Sequence, residues 1–436
     1  MAGIDGSNAG AMPATIHPLR QALADELHAR PPVPLAAPAR VLNFVLFGPA
    51  SLTGDPLRSL ALAQGVEAAE TIAKHAVLTL GPYVAIQERR TEFTTYTLYL
   101  PRAAGSSVEA AADLPPALQA WIASLPGELI AVSDLVILAP NEPAPDTALL
   151  ARLYDENALV ASRAVSGRAN VWTDFKLRQG KTMLLIHDNG LTDAQRGRLV
   201  LRLLDIESYR MMALLALPLA QKVAPRITAL EQGLGRLASR MVDVEHQESE
   251  QTLLREIAGA AAEVETLAVD TPFRFGAARA YHALVSRRIE ELREERIEGL
   301  PTLGEFMERR LSPAMRTCET MAERIEGLSR RATRMANLLR TRVDVALERQ
   351  NVAQLDAMNR RLKLQLRLQE TVEGLSVAAI TYYAVGLVGY AAQALHAVGL
   401  PIHKEVAIGV AIPLVAGTVW LGLRRLRRSL QKDGLH

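Results

Sequence analysis

LSVAAITYYAVGLVGYAAQAL (375–395), HAVGLPIHKE (396–405), VAIGVAIPLVAGTVWLGL (406–423) and RRLRR (424–428) decide the reading of this chain. The first piece is 21 residues without a charge, and the third is 18 more. At a helical rise of ~1.5 Å per residue they measure roughly 31 and 27 Å, close to a hydrocarbon core of about 30 Å. No water is available there to satisfy bare backbone, so both pieces must be helical. The stretch Ser376–Ser429 therefore reads as a transmembrane hairpin. Basic residues flank its outer ends: Arg360, Arg361, Lys363 and Arg367 before it, Arg424, Arg425, Arg427, Arg428 and Lys432 after it. The connection carries Lys404 balanced by Glu405. The positive-inside rule then puts both termini in the cytoplasm and the connection outside.

Working outward, the totals set further bounds. The 436 residues exceed one ordinary domain. A net charge of +2 and 4% aromatics give no nucleic-acid signature. Cys318 is the single cysteine, which excludes an intramolecular disulfide. Met1–Ile16 is Gly/Ala-rich without a basic start or an apolar core, so it reads as a disordered tail and not a signal peptide.

Residues 17–190 read as an α/β or α+β cytoplasmic domain. A short helix is expected at His17–Arg30, ended by Pro31-Pro32. Strands are expected at Arg40–Phe47, Tyr83–Gln87, Phe93–Leu100, Leu129–Leu138 and Thr182–His187. A hairpin is expected from Leu159–Val165 and Ala169–Leu177 around Gly167. Helices are expected at Asp55–His75 and Pro116–Ser124. From residue 191 to 312 the pattern is helical. Thr192 is the candidate N-cap, and Pro218 and Pro225 are expected to cut or kink the run. Leu230–Val269 and Ala277–Glu298 continue as helices, with turns at Thr271-Pro272 and Leu300-Pro301.

Residues 313–373 read as one long stalk helix that runs into the first span. Met315, Cys318, Ala322, Ile325, Ser329, Ala332, Ala336, Leu339, Val343, Ala346, Gln350, Ala353 and Ala357 keep heptad spacing. That pattern fits either a bundle with the preceding helices or a self-associating stalk. Residues 374–423 hold the hairpin and 424–436 a basic cytoplasmic tail.

Catalytic motifs are broken or missing. Gly180-Lys181-Thr182 ends like a phosphate loop, but Phe175 stands where its first glycine belongs and a strand follows, so a hairpin turn is the better reading. His246-Gln247-Glu248 lacks a second histidine for a helical zinc site. No metal, cofactor or catalytic residue is implied, and the chain reads as non-enzymatic. Two clusters concentrate groups able to hold an anion or other ligand: His17 with His28 and Arg30, and Glu88, Arg89 and Glu92. A salt-bridge network explains both clusters as well. On the first span Tyr383, Tyr390 and Gln393 share a helix face, with Gly386 and Gly389 beside them. That face lines a pore or packs against a neighbouring helix.

The segments HPLRQALADELHARP (17–31), ERRTEFTTYTLY (88–99), LLRTRVDVALERQN (338–351) and MNRRLKLQLRLQETVEGLSVAAITYYAVGL (358–387) resemble a bacterial family of uncharacterised membrane-anchored proteins of unknown function. That resemblance supplies no activity. The order of parts is also similar to the CorA-type magnesium channels. It would imply a cytoplasmic funnel, a homopentamer and a pore lined by the first span, with a cation as cargo. The Gly-Met-Asn signature of those channels is absent: Ala391-Ala392-Gln393 stands there, and no asparagine follows Asn359. The expected role is a membrane-anchored scaffold or interaction protein that forms homo-oligomers, with a CorA-like channel or transporter as the alternative.

Overall fold

The computed structural model describes residues 17–21, 23–24, 32–48, 55–66, 75–110, 114–155, 158–243, 247–397 and 404–433. The N-terminal tail, His28, Arg30 and His403 lie outside them.

Two compact units are present. Unit 1 holds residues 1–243 and 255–335, and unit 2 holds 244–254 and 336–436. In unit 1 the strands are β1 (Ala39–Phe47), β2 (His75–Leu80), β3 (Tyr83–Arg89), β4 (Phe93–Pro101), β5 (Glu128–Leu138), β6 (Val160–Ala164), β7 (Ala169–Arg178), β8 (Lys181–Asp188) and β9 (Glu295–Arg296). They form a mixed sheet of order β2-β3-β4-β1-β5-β8-β7-β6-β9. β5 and β8 pair in parallel, and the other neighbours pair antiparallel. β7 turns into β8 through Gln179 and Gly180, at φ 51° and 77°. Two positive φ values fit the right-handed twist of a tight hairpin, so this glycine serves a turn and not a phosphate.

The helices before the sheet's completion are α1 (Pro56–Ala63), α2 (Pro116–Ala123), α3 (Thr147–Leu153), α4 (Asp193–Leu214), α5 (Ala216–Asp243), α6 (Gln247–Asp270) and α7 (Pro272–Leu292). Local chemistry starts several of them. Asp55 accepts from the Arg58 N–H at 3.2 Å and caps α1, and Asp146 accepts from Leu149 at 2.7 Å to cap α3. Thr192 and Gln195 exchange bonds in a capping box at α4. One face of the sheet buries Leu42, Phe44, Leu46, Leu98 and Val132 against Leu57 and Leu60 of α1 and Leu118 and Trp121 of α2. The other face lies under α4, along which α7 packs.

α8 runs unbroken from Leu303 to Ala397, and α9 from Lys404 to Asp433. Within unit 1 α8 buries Leu303, Met307, Leu311, Met315, Cys318, Ile325 and Ala332. Arg324 donates to Glu231 of α5 at 2.7 Å, and Ser312 meets His282 of α7 at 3.3 Å. The early heptad positions are thus used inside the chain. In unit 2 the burial fades: Leu339 is buried, Val343 and Ala346 are half-buried, and residues 347–372 are all exposed. Both α8 and α9 contain a stretch long and apolar enough to cross a membrane.

Several local expectations are corrected. His75 begins β2 instead of ending a helix, and α1 stops at Ala63, where Gln64 and Gly65 close it. α7 stops at Leu292 because Arg293 turns left-handed at φ 46°, which frees Glu295–Arg296 to pair with β6. The helical run is cut at Leu215, between α4 and α5, as expected beside Pro218, which falls in the first turn of α5 where its missing N–H costs nothing; at Pro225 the helix continues without a break. α8 begins at Leu303, before Pro313.

Candidate functional site

The residues Glu88 to Glu92 sit where β3 turns into β4, beneath α4 and α7. Alternation along the strand separates neighbours. Glu88 faces α4, whereas Arg89 faces the opposite side, near Tyr96. The Glu88 carboxylate meets Arg90 at 3.2 Å, Thr95 Oγ1 at 3.5 Å and His75 Nδ1 at 3.5 Å. Arg90 also meets Asp205 of α4 at 3.3 Å. Arg288 of α7 donates to Asp205 and to Glu291, both at 2.8 Å, and Arg202 of α4 reaches Glu291 at 3.3 Å. Glu92 pairs with Arg274 of α7 and accepts from the Tyr281 hydroxyl at 2.8 Å. The Arg90 guanidinium lies over the rings of Phe93 and Tyr209, at 5.6 and 5.2 Å. Tyr209 stacks on Tyr281 with centroids 5.8 Å apart.

Burial sets the electrostatics here. It raises the Asp205 carboxyl above its ordinary range, while Arg90 and Arg288 pull it back and Glu88 adds to the rise. Burial, then the Asp205 charge, pushes the Tyr209 phenol up to about 12. The Glu291 carboxyl is held low: its desolvation is outweighed by the hydrogen bond and charge of Arg288, with Arg287 and Arg202 adding. Acids and arginines alternate through the cluster, which is how buried charge is tolerated.

Beside Glu88 a small polar cavity opens between the sheet and α4, lined by Asn43, His75, Thr97, Tyr99, Asp205 and Ser208 among others. It leaves about 20 Å³ for the centre of a water molecule. Asn43 Oδ1 accepts from Thr97 at 2.9 Å, and neither its Nδ2 nor the two His75 ring nitrogens make a hydrogen bond. The cavity fits one small polar molecule.

Of the residues singled out in the sequence, Glu88 and Glu92 enter this network. His17 is exposed, and its Nδ1 accepts from the Leu19 N–H at 3.2 Å. Arg90, inside the same charged stretch, enters it too, whereas Asp205, Arg274, Tyr281 and Arg288 complete the network without a local signal, since they lie more than 100 residues downstream. Among the described residues no group of three or more His, Cys, Asp and Glu could hold a metal ion.

In unit 2 the hairpin shows two faces. Gly389 and Ala392 of α8 are buried, as is Ala411 of α9. Small side chains let the helices approach. Tyr383, Gly386, Tyr390 and Gln393 instead lie on the exposed side, the two tyrosines 72% and 75% exposed. A side chain at Gly386 would meet nothing within 4 Å. Tyr382, Tyr383 and Tyr390 border an open groove completed by Ile408 and Ile412 of α9.

Among curated proteins none matches the chain. Of the solved structures, the full-length CmaX protein aligns at 13% identity over 75% of this chain and 94% of its own, with a TM-score of 0.17. The complete CorA magnesium transporter from Methanocaldococcus jannaschii aligns at 9% identity over 80% of this chain and 99% of its own, with a TM-score of 0.16. Similarity at that level assigns neither a fold nor a role. The family described as "Protein of unknown function (DUF3422)" matches residues 15–430, and the chain belongs to that family.

Proposed function

We propose that this protein is a membrane-anchored scaffold or interaction protein. α8 and α9 insert as a hairpin into a bacterial inner membrane, the bulk of the chain and both termini face the cytoplasm, and copies self-associate. One observation carries the reading. The apolar windows of α8 and α9 are only 11% and 6% buried within the chain. Uncovered apolar surface of that length is unfavourable in water and favourable in lipid. The arginines that flank the hairpin support the cytoplasmic orientation. The charged groups of unit 1 engage each other in ion pairs, which supports a structural cluster over a catalytic one.

The second reading is an oligomeric channel or transporter of CorA-like design. The exposed face of Tyr383, Tyr390 and Gln393 favours it, since polar groups in lipid turn toward protein or water. The test is fractionation of the full chain. It is expected to remain with membranes through an alkaline carbonate wash, and a Val385→Arg, Leu414→Arg variant is expected to leave them. In a Cys318→Ser background, Ala397→Cys is expected to react with an impermeant thiol reagent on intact cells. A wild-type chain recovered in the soluble fraction would sink the anchor. Robust Mg²⁺ flux in proteoliposomes would put the channel reading first.

A further inference from the structure

The heptad positions buried by α8 end at Leu339, yet a second apolar series begins there on another face. Leu338, Val345, Val352, Asn359 and Leu366 follow one another at intervals of seven. Leu355 and Leu362 fall three residues after Val352 and Asn359. These are the a and d positions of a coiled coil. Val345 is 41% exposed, Val352 54%, Leu355 59%, Leu362 53% and Leu366 57%. Among the described residues none covers them.

We propose that residues 338–366 of α8 pair with the same segment of a second copy as a parallel, two-stranded coiled coil, with Asn359 facing Asn359. The proposal deepens the membrane-anchored reading and rests on it. If two copies anchor in one bilayer, their α8 helices leave it in the same direction, which makes the pairing parallel. The strand number follows from side-chain shape: β-branched valine at a with leucine at d favours two strands. A single asparagine at an a position fixes register, because in any other alignment its amide faces only apolar side chains. Charge agrees with the parallel arrangement. Asp344 occupies g and Arg349 the following e, the pair that meets across a parallel dimer. Glu348 and Gln369 occupy d positions toward the two ends, so the tight apolar run is Val352–Leu366. Leu347 and Leu368 stand off the seam, at c positions.

Single cysteines in the full-length Cys318→Ser protein test this in native membranes under mild oxidation. Val352→Cys and Leu355→Cys place two sulfurs within disulfide reach across the seam, and Leu347→Cys does not, so cross-linked dimer should be about five-fold more abundant for the first two. All of these positions are exposed in the single chain, so folding of the body is not at stake. Mass photometry of the detergent-purified wild type should show two chains per particle. Asn359→Val should give a mixture of two- and three-chain particles. Cross-linking that is equal on every face, or strongest at Leu347→Cys, overturns the seam. So does a monomer at every concentration. In each of those outcomes, retention through the carbonate wash shows that the anchor stands on its own, whereas release from membranes removes the anchor as well.

Discussion

Gly197, in α4, lies under the carbonyl of Val33. A Cβ built there falls 2.0 Å from Val33 O and 3.0 Å from its carbonyl carbon. For Gly197→Ala, the segment at 33–35 must therefore withdraw by about 1 Å to reach even a tight contact. That segment is not free to move. The Leu35 N–H donates to Asp193 O at 3.1 Å, and Arg196 donates to Leu35 O. Two terms compete. Alanine is better than glycine in a helix interior by about 1 kcal/mol, and overpacking a tight site costs about 1–3 kcal/mol. With backbone as the obstacle the second term wins, by about 1 kcal/mol, or a Tm lower by about 2–4 °C. Gly235 in α5 is the control. It is exposed, and an added Cβ meets nothing within 4 Å. Gly235→Ala should keep the helix term alone and raise Tm by about 2–4 °C. Thermal melting of the detergent-purified chain by far-UV circular dichroism reads both. If the two variants shift Tm in the same upward direction, the close approach of Val33 to α4 is wrong.

Arg196 donates to the fully buried Asp188 at 2.5 and 2.8 Å, so Arg196→Met leaves a buried carboxylate with only the Gly190 and Leu191 N–H groups. The expected loss is about 3–5 kcal/mol, against no more than about 1 kcal/mol for Arg226→Met at the exposed pair with Glu263. Equal denaturation midpoints for the two variants would contradict this. Glu142 is buried, which alone would raise its carboxyl, but the Ala139 and Gly105 N–H groups and Arg102 together hold it below the ordinary range. A carboxyl depressed on folding contributes stability above its unfolded value of about 4.3, and that contribution is lost as pH falls through the folded value. The stability gap between wild type and Glu142→Gln should be full at pH 6 and vanish at the acid end. A gap that stays constant from pH 3 to 7 would refute the assignment.

The uncharged 21-residue run was legible because being long and apolar enough to cross a bilayer is a one-dimensional requirement on length and polarity. β1, β4 and β5 were legible for a similar reason, as near-continuous apolar or β-branched runs. The start of α4 announced itself through Thr192 and Gln195. What escaped depends on distant partners. β2 looks like the tail of a helix until β3 pairs with it, and β9 is two charged residues that become a strand only beside β6. The parallel joint between β5 and β8 has no local sign. The charge cluster shows the same limit. Glu88 and Glu92 stand out as charges between strands, but Asp205, Arg274 and Arg288 arrive from more than 100 residues downstream. The face of Tyr383 and Tyr390 could be drawn from helical spacing, whereas its exposure needed the position of α9.

β9 closes the sheet from beyond the four helices that follow β8, and this placement bears on biogenesis. During synthesis the edge of β6 waits for Glu295–Arg296, more than 130 residues after its own end. The first uncharged run begins only at Leu375, roughly 80 residues later still. At about 5–20 residues per second the ribosome needs roughly 4–16 s to cover that interval, and domains commonly fold from the N-terminal side as they emerge. Every strand of the sheet has therefore left the peptidyl-transferase centre before the first apolar run is made, so the edge of the sheet can be closed while that run is still untranslated.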